Sequence, residues 1–314
     1  MTYYDLPAPA KLNLFLHVVG QRPDGYHLLQ SVFRLISLSD SITLDLRTDG
    51  VISRDSDMDE HVADVDDLVV KAAHRLKAAT ATNLGAHIVV RKRIPSGGGL
   101  GGGSSDAATV LLGLNRLWRT GLSRSALMSL GLKLGADVPF FLLGQTAFVT
   151  GVGEQVQATA CPDASYLVFK PAATVPTSEI FKDLDLTRDT EPVKISDFSG
   201  RVWYAGPEGF GRNDLEAVTR RRYPIVDDAM NWVGLQGHAV RLTGSGSCFF
   251  AEFDSPAQAK LAQADLIGKM RNSTTDIAVN TAEGSKSSSA LSVLPEVFVC
   301  DGLPRHPLAQ WLEV

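Results

Sequence analysis

Six of the seven residues from Gly97 to Gly103 are glycine, interrupted only by Leu100. Glycine loses more conformational freedom on folding than any other residue, so a run this dense needs a reason. Bare backbone approaches a ligand closely and aims several N–H groups at one point. A helical pattern starts within two or three residues, with Ala107, Ala108, Leu111, Leu112 and Leu114 on its buried side. The free N–H groups and dipole of such a helix start add about half a positive charge. The segment before it, AHIVVRKRI, alternates like a strand and stops at Pro95. Strand, loop and helix therefore predict a phosphate receptor from Pro95 through Gly97, Gly98, Gly99, Leu100, Gly101, Gly102 and Gly103 to Ser104 and Ser105. Either serine could cap the helix, bind phosphate oxygens or approach a divalent cation.

Two familiar phosphate loops fail on these residues. A Walker A loop needs GxxxxGK[ST], and no lysine follows the glycines. A dinucleotide fingerprint can be forced onto Gly97, Gly99 and Gly102, but it expects an acidic residue about 20 positions on. That region reads NRLWRTGLS, with none. A flexible linker is disfavoured because a strong helix follows directly.

Three further groups could do chemistry. Arg91, Lys92 and Arg93 alternate faces along the strand before the loop, so at most one face can look at a ligand. Asp137, in LGADVPFF, stands where Pro139 favours a first helical turn; it reads as an N-cap or as a reactive carboxylate. Gly244, Ser245 and Gly246 form a second turn able to approach anionic groups.

Composition narrows the class. The chain has 314 residues, enough for two domains, with 44% hydrophobic and 21% charged residues. The net charge of −5 gives no global basic field, so no nucleic-acid partner is expected. Cys161, Cys248 and Cys300 are too sparse for a disulfide framework and lack metal-ligand spacing. No basic stretch leads into an apolar run in MTYYDLPAPAK, and no segment approaches the roughly 20 apolar residues that span a bilayer. A cytoplasmic protein without a membrane partner is expected.

The elements that must position these groups follow from periodicity. KLNLFLHVV alternates as a half-buried strand, and SVFRLISLSDSITLDLR reads as strands around a Ser-Asp break. Helices are predicted over 66–79, from Ser123 to about Leu134, and over 213–234. YLVFKPA is a strand, PTSEIF enters a helix, and HAVRLTGSGSCFFAEF is strand, glycine turn and strand. Residues 272–292 hold nine Ser or Thr and are expected to form a flexible insertion.

At this point several segments resemble one superfamily in order. PSGGGLGGGSSDAA resembles the second motif of the GHMP kinases, PAPAKLNLFLHV the first and RLTGSGSCFF the third. RPDGYH, LGADVPFF, IFKD and RNDLE look like the branch that phosphorylates the 2-hydroxyl of 4-diphosphocytidyl-2-C-methyl-D-erythritol, in the non-mevalonate route to isoprenoids. The likeness fades only in 185–210 and in the Ser/Thr-rich stretch. It implies an α+β, two-domain fold: an N-terminal ATP-binding domain like the second domain of ribosomal protein S5, over 1–155 with 296–314. A ferredoxin-like substrate domain over 156–295 would complete it.

The resemblance implies ATP and Mg²⁺ as cofactors and a small-molecule substrate carrying a cytidine diphosphate, handled by a monomer or homodimer. Asp137 matches the catalytic acid and Lys11 the lysine on the first strand. A lysine in that apolar setting needs a negative partner. Asn13, on the same face, would orient the substrate hydroxyl. Lys92 matches a position near ATP. Tyr26 and His27 carry the family's GYH signature: the ring would stack on a pyrimidine and the imidazole bond its edge. Phe181 would supply the second face, with Thr177, Gly244 and Ser245 nearby. Asp67 stands where members of the family often have asparagine, and Asp106 where some of them do.

Overall fold

Two long antiparallel strands, β1 (Thr2–Gln21) and β2 (His27–Arg47), frame the first domain and pair from end to end. The computed structural model describes residues 1–56, 67–198, 212–280 and 293–312. After β2 come β3 (Ile52–Ser56), α1 (Leu68–Thr80) and β4 (Gly85–Arg91). There follow α2 (Gly102–Leu117), α3 (Arg124–Leu132), α4 (Val138–Leu143), β5 (Ala147–Thr150) and β6 (Gln155–Ala158). The sheet runs β3-β4-β2-β5-β6, with β1 along the other edge of β2. The expected Ser-Asp break is absent: β2 continues through Asp40, whose carboxylate is fully buried and accepts the amide of Ile94 at 2.8 Å. Helix α2 lies against the sheet with Ala107, Ala108, Val110, Leu111 and Leu114 all at 0% exposure.

The second domain contains β7 (Ser165–Lys170), α5 (Thr177–Phe181), α6 (Glu216–Arg222), α7 (Pro224–Leu235), β8 (Arg241–Leu242), β9 (Phe249–Phe253), α8 (Pro256–Asn280) and β10 (Glu296–Asp301). Its sheet, β10-β7-β9-β8, is antiparallel throughout. One face packs on α7 and α8 through Leu167, Phe169, Phe249, Met230 and Leu266. The opposite face presents Tyr166, Val168 and Phe250 to Leu12, Leu14, Phe15 and Val32 of the first domain. Strand β1 is therefore buried from Ala8 to His17, on both faces, where alternation predicted one. Each fully buried leucine there contributes about 1.5–3 kcal/mol, so β1 is the seam that fixes the domains together.

Three further expectations change. The helix predicted over 213–234 is two helices, because Pro224 has no N–H to donate and displaces Tyr223 to φ −125°, ψ 81°. Residues 296–301 do not return to the first domain: β10 pairs with β7, burying Phe298 and Cys300 towards one core and Val297 and Val299 towards another. The return begins at Gly302, where Leu303 and His306 donate to the carbonyls of Leu35 and Gly144 and Leu308 enters the first core. The Ser/Thr-rich stretch begins as the last turns of α8, which extends to Asn280, and 281–292 lie outside the described residues.

Candidate active site

The glycine loop joins β4 to α2 and lines an open cleft of about 340 Å³, together with Arg54, Asp67, Leu68, Lys92, Pro95 and Asp106. Its glycines divide by cause. Gly97, Gly99 and Gly101 have φ of 64°, 74° and 73°, which a side chain would strain. A Cβ on Gly97 would lie 2.7 Å from Thr174, on Gly98 2.5 Å from the Cys248 sulfur, and on Gly99 2.3 Å from the Thr243 carbonyl. The amides of Ser247 and Cys248 donate to the carbonyls of Gly97 and Gly98, both at 3.3 Å. These glycines let the two glycine turns of the two domains touch, a demand made by the protein itself that the sequence reading assigned to a ligand. Gly103 is different: its φ is ordinary, and a Cβ there meets only Leu68, at 3.6 Å. Open space beside a helix start suits a phosphate.

Neither serine caps α2. The helix starts at Gly102 with Gly101 as its cap and no side-chain cap bond. Ser105 donates instead to the Pro9 carbonyl at 2.7 Å, tying α2 to β1, while Ser104 stays half-buried in the first turn.

Lys92 is half-buried between exposed Arg91 and Arg93. Its ammonium bonds Asp106 at 2.7 Å and also Asp40, so two carboxylates from α2 and β2 converge on one cation beneath the loop. Burial, with Asp40 adding to it, pushes the Asp106 carboxyl up to about 7 despite Lys92. Burial would lower Lys92, but Asp106 and Asp40 carry it above the usual lysine value. Asp67 caps α1 through the Val69 amide at 2.7 Å and pairs with Arg54 at 2.7 Å on the far wall of the cleft. Nothing in the local sequence marked Arg54.

Lys11 leaves β1 beside the loop, its amide donating to the Leu100 carbonyl at 2.9 Å. Its ammonium, on a side chain 5% exposed, lies 3.7 Å from Asp137 and bonds the Asn13 carboxamide oxygen. The Phe33 ring lies 4.6 Å away, a cation–π contact that sequence reasoning missed. Burial lowers the Lys11 pKa, and the Asp137 carboxylate opposes that shift. Asp137 occupies the residue before α4 but makes no side-chain cap bond, so its carboxylate is committed to Lys11 rather than to the helix. Asn13 in turn donates to Ser31 at 3.0 Å, and its amide donates to the Thr243 hydroxyl at 2.9 Å. Asn13 thus holds the Lys11 ammonium.

The second glycine turn is held by Asn213, which donates to the carbonyls of Leu242 and Gly244 at 2.9 and 2.7 Å. A Cβ on Gly244 would stand 3.2 Å from Gly99. Ser245 and Thr177 share a hydrogen bond of 2.8 Å, joining this turn to α5. At the outer end, Phe181 stacks on His27 with centroids 4.9 Å apart and 30° between planes. Tyr26 is 63% exposed at the tip of the β1–β2 turn. Phe181 and His27, both expected to meet the pyrimidine, thus touch each other, and the Tyr26 ring is open to solvent.

Comparison with known proteins agrees with this geometry. Residues 67–145 match the GHMP kinases N terminal domain and residues 208–272 the GHMP kinases C terminal domain. A 4-diphosphocytidyl-2-C-methyl-D-erythritol kinase of Bordetella bronchiseptica is 53% identical over 312 residues, covering 99% of both chains. One from Aromatoleum aromaticum is 52% identical over 267 residues, 85% of this chain and 90% of the relative. A crystal structure of 4-(cytidine 5'-diphospho)-2C-methyl-D-erythritol kinase superposes with TM-score 0.70 at 30% identity, over 96% of this chain and 100% of that one. A homoserine kinase from Cytophaga hutchinsonii shares the fold alone, at TM-score 0.62 and 15% identity over 97% and 95%. The chain belongs to the 4-diphosphocytidyl-2-C-methyl-D-erythritol kinase family of the GHMP kinases.

Proposed function

We propose that the chain transfers the γ-phosphoryl group of ATP to the 2-hydroxyl of 4-diphosphocytidyl-2-C-methyl-D-erythritol, releasing ADP. The observation that carries this reading is the pairing of Lys11 with Asp137 at 3.7 Å on a strand bonded directly to the glycine loop. ATP lies along Lys92, Pro95 and Gly97–Ser105, with its terminal phosphates at the start of α2. The cytidine lies towards Tyr26, His27, Thr177 and Phe181, and Gly244 and Ser245 border the diphosphate.

In the reaction, Asp137 accepts the proton of the 2-hydroxyl as its oxygen attacks phosphorus. Phosphoryl transfer needs little more than positioning and charge neutralisation. The Lys11 ammonium, desolvated and held by Asn13 and Phe33, stabilises charge on the transferring group without reorganising. The N–H groups of the loop and α2 hold the departing ADP.

Among the described residues no cluster of three or more His, Cys, Asp or Glu side chains could hold a metal ion. Mg²⁺ would be brought by the nucleotide phosphates, and the half-buried Ser104 hydroxyl would be its protein contact, since that of Ser105 is committed to Pro9. When bound it neutralises phosphate charge. No described helix is long and apolar enough to cross a membrane, and we place the enzyme in the cytoplasm with its small-molecule substrates.

The test is product identity. With ATP, Mg²⁺ and the proposed acceptor, phosphorus NMR should show one new monoester at the 2-position and one ADP per ester. ADP formed without that ester would refute the reading.

A further inference from the structure

Arg188 lies in the stretch where the likeness to GHMP kinases fades, and no motif marks it. Its guanidinium nevertheless makes four hydrogen bonds. Nε donates to His27 Nε2 at 3.1 Å and Nη1 to the Leu186 carbonyl at 3.0 Å. Nη2 donates to the carbonyls of Phe181 and Asp183 at 3.2 and 2.6 Å. One planar fork thus ties the end of α5, where Phe181 sits, to the first residue of β2.

The chemistry of the pair is one-directional. A guanidinium has donors and no acceptor, and it does not give up its proton. His27 Nε2 must therefore offer a lone pair, which leaves the ring proton on Nδ1. Among the described residues Nδ1–H meets no acceptor, which leaves it available to a ligand. We propose that Arg188 is a positioning residue for the acceptor-substrate pocket. It fixes His27 as a neutral Nδ1–H donor with Phe181 against its face, and so selects a base whose edge presents a hydrogen-bond acceptor, as the N3 and O2 edge of cytosine does. This rests on the reading of His27 and Phe181 as the cytidine site.

The surrounding charges agree. Burial, then the Arg188 charge, lowers the His27 pKa. Across the ladder from His27 stands Gln21, which is uncharged. The carboxylate of Asp183, whose backbone carbonyl accepts from the fork, is engaged by Arg221 and Arg222 of α6.

The experiment combines NMR titration of His27 with steady-state kinetics on the full chain, comparing wild type, Arg188→Lys and Arg188→Met. In Arg188→Met the His27 pKa should rise and the Nδ1–H preference should be lost. The KM for the acceptor should rise about tenfold, the scale of one lost hydrogen bond, with KM for ATP unchanged within about twofold. Arg188→Lys keeps a cation without the fork, so its acceptor KM should fall between the two. An unchanged His27 pKa and tautomer in Arg188→Met would overturn the proposal at the Arg188–His27 bond. A shifted pKa with unchanged acceptor KM would overturn it at the site assignment instead. Equal rises in both KM values would reduce Arg188 to a structural part.

Discussion

The Lys11 ammonium lies 3.7 Å from the Asp137 carboxylate, although 126 positions separate them, and each group depends on the other. Burial works against the charge on Lys11, and Asp137 restores part of it. Asp137, at the start of α4, spends its carboxylate on this contact and leaves the helix uncapped by its side chain.

Removing either group should cut turnover by orders of magnitude while sparing nucleotide binding. Asp137→Asn should lower kcat by about 10²–10⁴, the range for a general base, and Lys11→Ala by about 10²–10³. Rapid-quench kinetics with a parallel ATP-binding assay separates the two effects. The pKa shift has a sign as well. Because burial lowers the Lys11 pKa, its charge is lost below the usual lysine value as pH rises. The alkaline limb of kcat should therefore fall before pH ~10, near the unperturbed lysine value. A limb at or above that value would contradict the assignment.

The glycines should separate by substitution. Gly99→Ala combines φ of 74° with a Cβ 2.3 Å from the Thr243 carbonyl, and should destabilise the fold by about 2–4 kcal/mol. Gly103→Ala has room and should leave the melting temperature unchanged or raised, while weakening ATP by filling the space proposed for phosphate. Thermal melts with and without ATP measure both effects.

Lys92→Met should behave as a stability mutation first. It leaves Asp40 and Asp106 facing each other in the interior with no cation, at a cost of about 3–5 kcal/mol for a broken buried pair. Chemical denaturation at pH 8 reads this directly. A loss of ATP affinity with unchanged stability would instead make Lys92 a simple phosphate ligand.

Phe181→Ala should raise the KM for the acceptor about tenfold, the scale of one lost base–aromatic stack, with KM for ATP unchanged. Its ring rests on His27 already, so the effect combines lost stacking on the base with a freed imidazole. An effect on ATP alone would move Phe181 to the other pocket.

Local order was legible in the sequence, and contacts across the chain were not. The start of α3 follows from its Ser123 cap and the strand–loop–helix around Gly97 from periodicity, both of which act over a few residues. The bonds of Asn13 to Thr243 and of Arg188 to His27 join residues far apart in the chain, so no spacing announces them. The break at Pro224 was written in the sequence, since proline excludes the preceding residue from a helix, yet apolar periodicity ran straight through it. The glycine run was legible as a close approach of backbone. Its partner proved in large part to be the second domain's own turn.

The Lys11–Asp137 pair and the glycine loop should serve one acceptor, the cytidine-bearing methylerythritol. Steady-state ADP release with ATP and Mg²⁺, over a panel of that acceptor, homoserine, mevalonate and galactose, tests it most directly. For the cytidine-bearing acceptor kcat/KM should exceed the others by at least about 10⁴, because a site built to hydrogen-bond its substrate rejects analogues lacking those groups. Comparable or greater turnover of homoserine, mevalonate or galactose would contradict it.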